Sequence, residues 1–219
     1  LAEVRTLAKT LVYDVNDRLA DVPGATELRA SVVRIALQSL NNAFNDAPND
    51  PTLMGELAFA YQRAGDVLGN PTGPNLGDLP GAVTAYGRAV SIARALVAAS
   101  PNDVKAMWTL ALCTEKAADA EAPSGQVQLA LEHQRESLGL FQRVARTDNR
   151  KTNYLRAVGV SALKLGDLLG HPEFTNTGDT GASLRAYREA MAQLDRATQL
   201  GDTSYFVRRH RAVAGERLG

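Results

Sequence analysis

Apolar residues recur along this chain at steps of three and four positions, the spacing that places them on one face of an α-helix. The first apolar stripe consists of Leu1, Val4, Leu7, Ala8, Leu11, Val12 and Val15. Pro23 and Gly24 interrupt it, and a second stripe runs from Leu28 to Phe44. No stretch alternates apolar and polar residues for long enough to predict a strand. The pattern therefore predicts a chain made of helices.

Clusters of glycine, proline, asparagine and serine divide the rest of the chain, as these residues do where helices end. The stripes between the clusters predict nine helices, at about 1–20, 26–45, 51–68, 79–99, 102–121, 125–146, 150–169, 180–200 and 203–217. Aromatic residues make up only 5% of the chain, which favours close-packed helices over a sheet. We therefore expect an all-α protein.

One segment of the sequence is repeated. A shift of 101 positions superposes 65–90 on 166–191 with 11 identities in 26. Each copy contains two Gly-Asp pairs twelve residues apart, at Gly65-Asp66 with Gly77-Asp78 and at Gly166-Asp167 with Gly178-Asp179. A degraded middle copy begins near Leu110 and has a shorter connector. The copies predict one repeat domain over 1–219, with helix pairs at about 1–46, 50–100, 102–146 and 150–200 and a capping helix at 203–217.

The residues shared by the copies resemble the tetratricopeptide repeat, a helix–turn–helix unit. The resemblance is carried by Leu57, Ala58, Tyr61, Gly77, Asp78, Ala82, Tyr86 and Ala89. Small residues at these positions let two helices approach closely, and Tyr86 fills the gap between units. The resemblance implies a right-handed solenoid of antiparallel helix pairs.

The same resemblance implies a groove for a partner, lined by the first helix of each pair. Carried over residue by residue, the groove consists of Arg5, Lys9, Phe59, Gln62, Arg63, Lys105, Trp108, Leu112, Glu115, Lys116, Arg156, Val160 and Lys164. The set is net basic and includes two aromatic residues. It would suit an extended peptide that carries acidic groups, because arginine and aromatic side chains dominate binding hot spots.

A narrower resemblance covers nearly the whole chain. The segments VRTLAKTLVYDVNDRLADVPGAT and GNPTGPNLGDLPGAVTAYGRAVSIARAL are similar to the C-terminal repeat region of bacterial receptor-type serine/threonine protein kinases. In those proteins a kinase and a membrane helix precede the repeats, which implies an extracytoplasmic, periplasmic location; without this link we expect a cytoplasmic one. The chain starts at Leu1 without Met and reads as an excised or processed fragment. It contains no kinase glycine-rich loop, HRD or DFG motif.

Charge and reactive residues narrow the range of functions. The formal net charge is zero, so no overall field draws the chain to nucleic acid or to an anionic membrane. No apolar run approaches the roughly 20 residues of a membrane helix. The single cysteine, Cys113, is expected to pack as a small apolar residue. The histidines, His133, His171 and His210, lack metal-ligand spacing, and we expect His133 to lie in solvent. No cofactor or metal is predicted.

The glycine-rich loops at 69–80 and 170–181 are where an enzyme or metal site would lie. A phosphate-binding loop needs a lysine after its glycines, and GNPTGPNLGD contains none. Calcium takes six to eight oxygen ligands, and Asp66 and Asp78 supply few. We expect instead that Asp78 and Asp179 cap the helices that follow them. The first Gly-Asp pair then marks an insertion that lengthens the connector.

The last predicted helix is basic, with Arg208, Arg209, His210, Arg211 and Arg217. One short basic helix in a neutral chain favours an end cap of the array over a nucleic-acid site. The sequence as a whole predicts a non-catalytic protein- or peptide-binding scaffold or sensor module. The alternative is an oligomerisation element that joins attached domains as a homodimer. An enzyme or metal site in the two loops ranks last.

Overall fold

The computed structural model describes residues 22–48, 50–71 and 73–219, together with positions 10, 15, 18 and 19. This part of the chain contains eight long α-helices and no strand. They are α1 (Thr26–Asp46), α2 (Pro51–Gly69), α3 (Leu79–Ala99), α4 (Val104–Glu121), α5 (Val127–Thr147), α6 (Thr152–Gly170), α7 (Thr180–Gln199) and α8 (Tyr205–Leu218). Eight of the predicted helices are confirmed, with ends that differ by at most two residues. The predicted helix at 1–20 falls outside the described residues except at four positions.

Side-chain caps fix where several helices begin. The Asp50 carboxylate accepts a 2.8 Å hydrogen bond from a backbone N–H in the first turn of α2. Asp78 accepts one from the N–H of Gly81 at 2.9 Å, and Asp179 accepts one from the N–H of Ala182 at 2.9 Å. These bonds satisfy donors that the helix itself leaves without partners. The predicted caps at Asp78 and Asp179 are therefore confirmed.

The chain divides into two compact units, and the first covers Leu1–Ala120. Within it α1 packs on α2 and α2 packs on α3. The core between α1 and α2 consists of Ala36, Leu40, Ala43, Leu53, Leu57 and Ala60. The small residues Ala58 of α2 and Ala82 and Ala89 of α3 are fully buried, and small buried side chains let neighbouring helices pack closely.

The second unit covers Glu121–Gly219. Here α5 packs on α6, α6 on α7, and α7 on the last helix, α8. Leu155 and Val158 of α6 are almost completely buried, as are Phe141 of α5 and Leu194 of α7. Each unit thus has a core built from helix pairs.

These contacts confirm the predicted all-α fold of helix pairs. The single repeat domain over 1–219 stays a prediction. No helix in the described part of the chain is both long enough and apolar enough to cross a membrane.

Candidate functional site

The first Gly-Asp pair fastens the end of α2 to its neighbours. Asp66, only 7% exposed, accepts a 2.8 Å hydrogen bond from the hydroxyl of Tyr86 in α3. Its carboxylate also accepts a 3.0 Å bond from Asn70 and forms a 3.0 Å ion pair with Lys116 of α4. Gly65 leaves room for the Tyr86 ring, since a Cβ there would lie 2.5 Å from a ring carbon. The pair therefore does more than mark an insertion, because it anchors three helices.

The second unit repeats this arrangement. Asp167 accepts a 2.9 Å hydrogen bond from the hydroxyl of Tyr187, and the Tyr187 ring lies over Gly166. In place of a lysine, the Nε of Arg217 in α8 lies 3.3 Å from the Asp167 carboxylate. The motif of glycine, aspartate and a tyrosine twenty residues later is thus a repeated structural device.

Both tyrosines are held in the protonated form. Burial, together with the neighbouring Asp66 charge, raises the pKa of Tyr86 far above its usual range. Burial also raises the pKa of Tyr187, to about 12. Each hydroxyl therefore donates to an aspartate at neutral pH. A hydroxyl with a raised pKa suits a fixed hydrogen bond and is a weak proton donor at neutral pH.

The loops after α2 and α6 fold in the same way. Asn75 donates to two carbonyl oxygens of its own loop and accepts a 2.7 Å bond from the N–H of Gly77. Asn176 does the same in the second loop, with a 2.8 Å bond from Gly178. The two glycines have φ angles of 74° and 81°, which favour glycine. Asparagine and glycine are thus used to build a turn.

Metal and thiol chemistry find little support in the described side chains. Among the residues that the structure describes, His, Cys, Asp and Glu do not gather in a group of three that could hold a metal ion. Cys113 is fully buried, as expected for a packed apolar residue, and burial raises the pKa of its thiol to about 12.

The expected solvent position of His133 is wrong. Its Nδ1 lies 2.9 Å from a carboxylate oxygen of Glu121, and the Glu121 side chain is only 3% exposed. A buried carboxylate needs such a partner, and His133 lies within reach on the following helix. Sequence periodicity placed His133 beside the polar face of α5 but could not show this pairing.

Several predicted groove residues come together in the first unit. A cleft of about 230 Å³ opens between α2 and α4, which we call the α2–α4 cleft. Four predicted groove residues line it: Phe59, Gln62, Lys105 and Leu112. The lining residues that the sequence did not indicate are Pro51, Thr52, Gly55, Glu56, Leu96, Asp103, Ala106 and Thr109. Most of these residues are small or lie near helix ends, and their types alone do not indicate a binding site.

Two basic residues of the first unit that were predicted to line the groove interact with Asp66 instead. Lys116 pairs with Asp66 at 3.0 Å, and Arg63 lies 3.5 Å from the same carboxylate. The Arg63 guanidinium also sits 4.8 Å from the centroid of the Phe59 ring. Neither residue lines the α2–α4 cleft, nor do Trp108 and Glu115, which are half-buried on α4.

The remaining predicted groove residues lie elsewhere. Arg5 and Lys9 are outside the described residues. Arg156, Val160 and Lys164 belong to α6 in the second unit and are half-buried there.

Arg156 and Lys164 form a basic face together with the start of α8. Arg156 pairs with Asp202 at 3.3 Å, and its guanidinium lies 5.0 Å from the centroid of the Phe206 ring. The ring of His210 is 4.1 Å from that of Phe206. We call this surface, with Arg209 beside it, the α6–α8 face. The sequence missed Phe206 and His210 as parts of it because α8 was assigned only an end-cap role.

The charges of the α6–α8 face act on its histidine. Burial lowers the pKa of His210, although its hydrogen bond to the Phe206 carbonyl opposes the shift. The positive charges of Arg209, Lys164 and Arg156 lower it further. His210 is therefore a neutral member of a cationic surface at neutral pH.

The other basic residues of α8 hold the helix in place. Arg211 contacts Asp195 of α7 at 2.6 Å, and Arg217 contacts Asp167 of α6 at 3.3 Å. These pairs fasten α8 to the preceding helix pair, as a capping helix requires.

Comparisons with known proteins concern the fold. No protein-family model matches the sequence, and no curated protein does. TTC0263, a thermophilic TPR protein in Thermus thermophilus, is similar with TM-score 0.43 and 15% identity, over 95% of this chain and 99% of that one. The MamA protein has TM-score 0.40 and 13% identity, over 99% and 89%. A TPR repeats protein (BF2334) from Bacteroides fragilis NCTC 9343 has TM-score 0.32 and 14% identity, over 92% and 98%. The helix pairs and buried contacts described above give this chain an all-α fold of packed helix pairs.

Proposed function

We propose that this chain is a non-catalytic scaffold that binds a protein or peptide in the α2–α4 cleft. The observation that carries the proposal is that four predicted groove residues from two helices line this one cleft. Phe59 and Leu112 supply apolar surface, and the Gln62 and Lys105 side chains add polar groups. A cleft with a few polar groups around apolar side chains is the usual form of a binding site.

The charge of the α2–α4 cleft argues against a strong preference for acidic peptides. Its charged lining consists of Glu56, Asp103 and Lys105. Asp103 accepts hydrogen bonds from backbone N–H groups at the start of α4, so its carboxylate caps that helix and is less available to a ligand. We therefore assign this cleft a peptide with an apolar side chain as its anchor.

The preference for acidic groups fits the α6–α8 face better. Arg156, Lys164 and Arg209 place three positive charges around His210, with Phe206 as an apolar platform. Asp202 offsets part of the Arg156 charge. An acidic peptide would gain both ion pairs and contact with the exposed ring.

We further propose that the module belongs to a bacterial signalling serine/threonine kinase. The support is the sequence resemblance of the segments 4–26 and 69–96 to the repeat region of such kinases. An extracytoplasmic location follows if that link holds. The full-length gene tests this directly, because an open reading frame without an upstream kinase domain would contradict the proposal.

An oligomerisation role is the second candidate, and an exposed apolar patch favours it. Leu200, which follows α7, is 41% exposed, and Tyr205 and Phe206 at the start of α8 are 72% and 44% exposed. Exposed apolar clusters often mark protein contacts. Sedimentation of the wild type and of Leu200→Ser/Tyr205→Ser tests it. A dimer that the double variant dissociates supports this role, and a monomeric wild type excludes it.

Peptide-display selection tests the scaffold proposal. A random library is selected on the full chain and counter-selected on Lys105→Glu/Leu112→Gln, which changes the α2–α4 cleft. The matched control is Arg88→Glu/Leu129→Gln, with the same changes at exposed positions outside the cleft. We expect enriched peptides to share an apolar anchor and to bind the control but not the cleft variant. Peptides that bind all three proteins equally would contradict the proposal.

A further inference from the structure

A second cleft lies on another side of α6 from the α6–α8 face. It has a volume of about 400 Å³ and opens between α5, α6 and α7. We call it the α5–α7 cleft. Its α6 residues are Leu155 and Val158. Leu155 and Lys164 are nine residues apart, which is about two and a half helical turns, so the two surfaces lie on opposite sides of α6.

The rim of the α5–α7 cleft is rich in hydrogen-bond donors. Arg146 and Asn149 come from the end of α5 and the residues after it, and Gln193 and Arg196 come from the last turns of α7. The side chains of these four residues form no hydrogen bond or ion pair with other described residues. Glu189 is the one acid of the lining, and its Oε1 accepts a 2.6 Å bond from Gln142.

The hydrogen-bond donors on the rim favour a ligand that carries several hydrogen-bond acceptors. Two guanidinium groups and two amides can donate at the rim, while the cleft's one carboxylate already accepts a bond from within the protein. A guanidinium group binds a carboxylate through two parallel hydrogen bonds, and the opposite charges strengthen this contact. Leu155 and Val158, which are almost completely buried, close the bottom of the cleft.

We propose that the α5–α7 cleft binds an acidic, carboxylate-bearing segment of another protein. The cleft is open to solvent, which lets a segment of another protein enter it, and arginine is enriched in protein interfaces. A second copy of this chain is a poor partner, because its net charge of zero gives two copies no overall attraction. This site is independent of the α2–α4 cleft and of its proposed apolar peptide.

Fluorescence anisotropy with a fluorescein-labelled oligoglutamate peptide tests the site on the full chain. Every protein compared, including the one that serves as wild type, carries Lys164→Gln/Arg209→Gln, so that the α6–α8 face contributes little to binding of the acidic peptide. The cleft variant is Arg146→Gln/Arg196→Gln. The matched control is Arg185→Gln/Arg188→Gln, which removes the same charge from exposed positions of α7 outside the cleft. We expect the cleft variant to bind at least about tenfold more weakly, and the control to stay within about twofold of the wild type. Equal binding by the wild type and the cleft variant overturns the proposal, as does no binding by the wild type.

Three further measurements show whether a loss of binding comes from the cleft. Circular dichroism melting shows whether the variants fold, which we expect because both arginines are exposed. Arg146→Lys/Arg196→Lys keeps the charge but loses the paired geometry, so its affinity should lie between those of the wild type and the glutamine variant. Sedimentation identifies the partner, since self-association that Arg146→Gln/Arg196→Gln abolishes would overturn the choice of another protein.

Discussion

The hydroxyl of Tyr86 donates a 2.8 Å hydrogen bond to Asp66, and Tyr187 donates a 2.9 Å bond to Asp167 in the second copy of the repeat. Each bond joins the end of one helix to the middle of the next. A glycine beside each aspartate leaves space for the tyrosine ring. The paired helices of both units are therefore held by the same contact.

Gly65→Ala should destabilise the first unit through this contact. The new methyl group would overlap the buried Tyr86 ring, and overpacking of this kind costs about 1–3 kcal/mol. Gly87→Ala is the matched control, because a Cβ at this exposed helical position meets nothing within 4 Å. The control should gain about 0.5–1 kcal/mol from helix propensity. Urea unfolding measures both changes, and equal effects in the two variants would contradict the close contact.

Tyr86→Phe should lower the free energy of unfolding by about 1–3 kcal/mol at neutral pH, because Asp66 loses a buried donor. The difference from the wild type should shrink as the pH rises above about 10. There the unfolded wild type releases the tyrosine proton, whereas the folded protein retains it because burial raises the Tyr86 pKa. Unfolding at several alkaline pH values tests this. A difference that stays constant up to pH 11 would exclude the raised pKa.

The helices were predictable because apolar periodicity and turn residues are local signals. The helix caps formed by Asp78 and Asp179 were predictable for the same reason, because each aspartate accepts a hydrogen bond from a residue only three positions away. The role of Asp66 was not visible, because its partners Tyr86 and Lys116 lie on other helices.

The charge of the candidate groove could not be predicted from the sequence either, because it depends on which side chains the fold brings together. Lys116 was predicted to face a peptide, but it also pairs with Asp66. The acids Glu56 and Asp103, which the groove prediction did not include, line the α2–α4 cleft. The surroundings of His133 could not be predicted for the same reason, because its partner Glu121 belongs to the preceding helix.

Arg209→Gln should raise the pKa of His210. Burial is the main cause of the lowered pKa, and the Arg209 charge adds to it, so removing that charge relieves part of the shift. Arg208→Gln is the control, since Arg208 is not among the main causes of the lowered pKa and its removal should shift the pKa less. Titration of the histidine ring protons by NMR measures the change. An unchanged pKa in Arg209→Gln would rule out the arrangement of charges described for the α6–α8 face.

His210 should also make stability depend on pH. Because its pKa is lower in the folded protein, its contribution is fully present above about pH 6.5 and is lost as the pH falls from there through the lower pKa of the folded state. His210→Gln should therefore lose less stability than the wild type between pH 7 and pH 5. Thermal melting across this range checks the prediction, and parallel curves for the two proteins would count against it.

Fluorescence of the single tryptophan, Trp108, tests the proposed peptide-binding role most directly. Trp108 lies on α4 between Lys105 and Leu112, which both line the α2–α4 cleft. A selected peptide with an apolar anchor should change its emission saturably in the wild type and in Arg88→Glu/Leu129→Gln. Lys105→Glu/Leu112→Gln should need at least about tenfold more peptide. The same saturation curve for all three proteins would contradict peptide binding in this cleft.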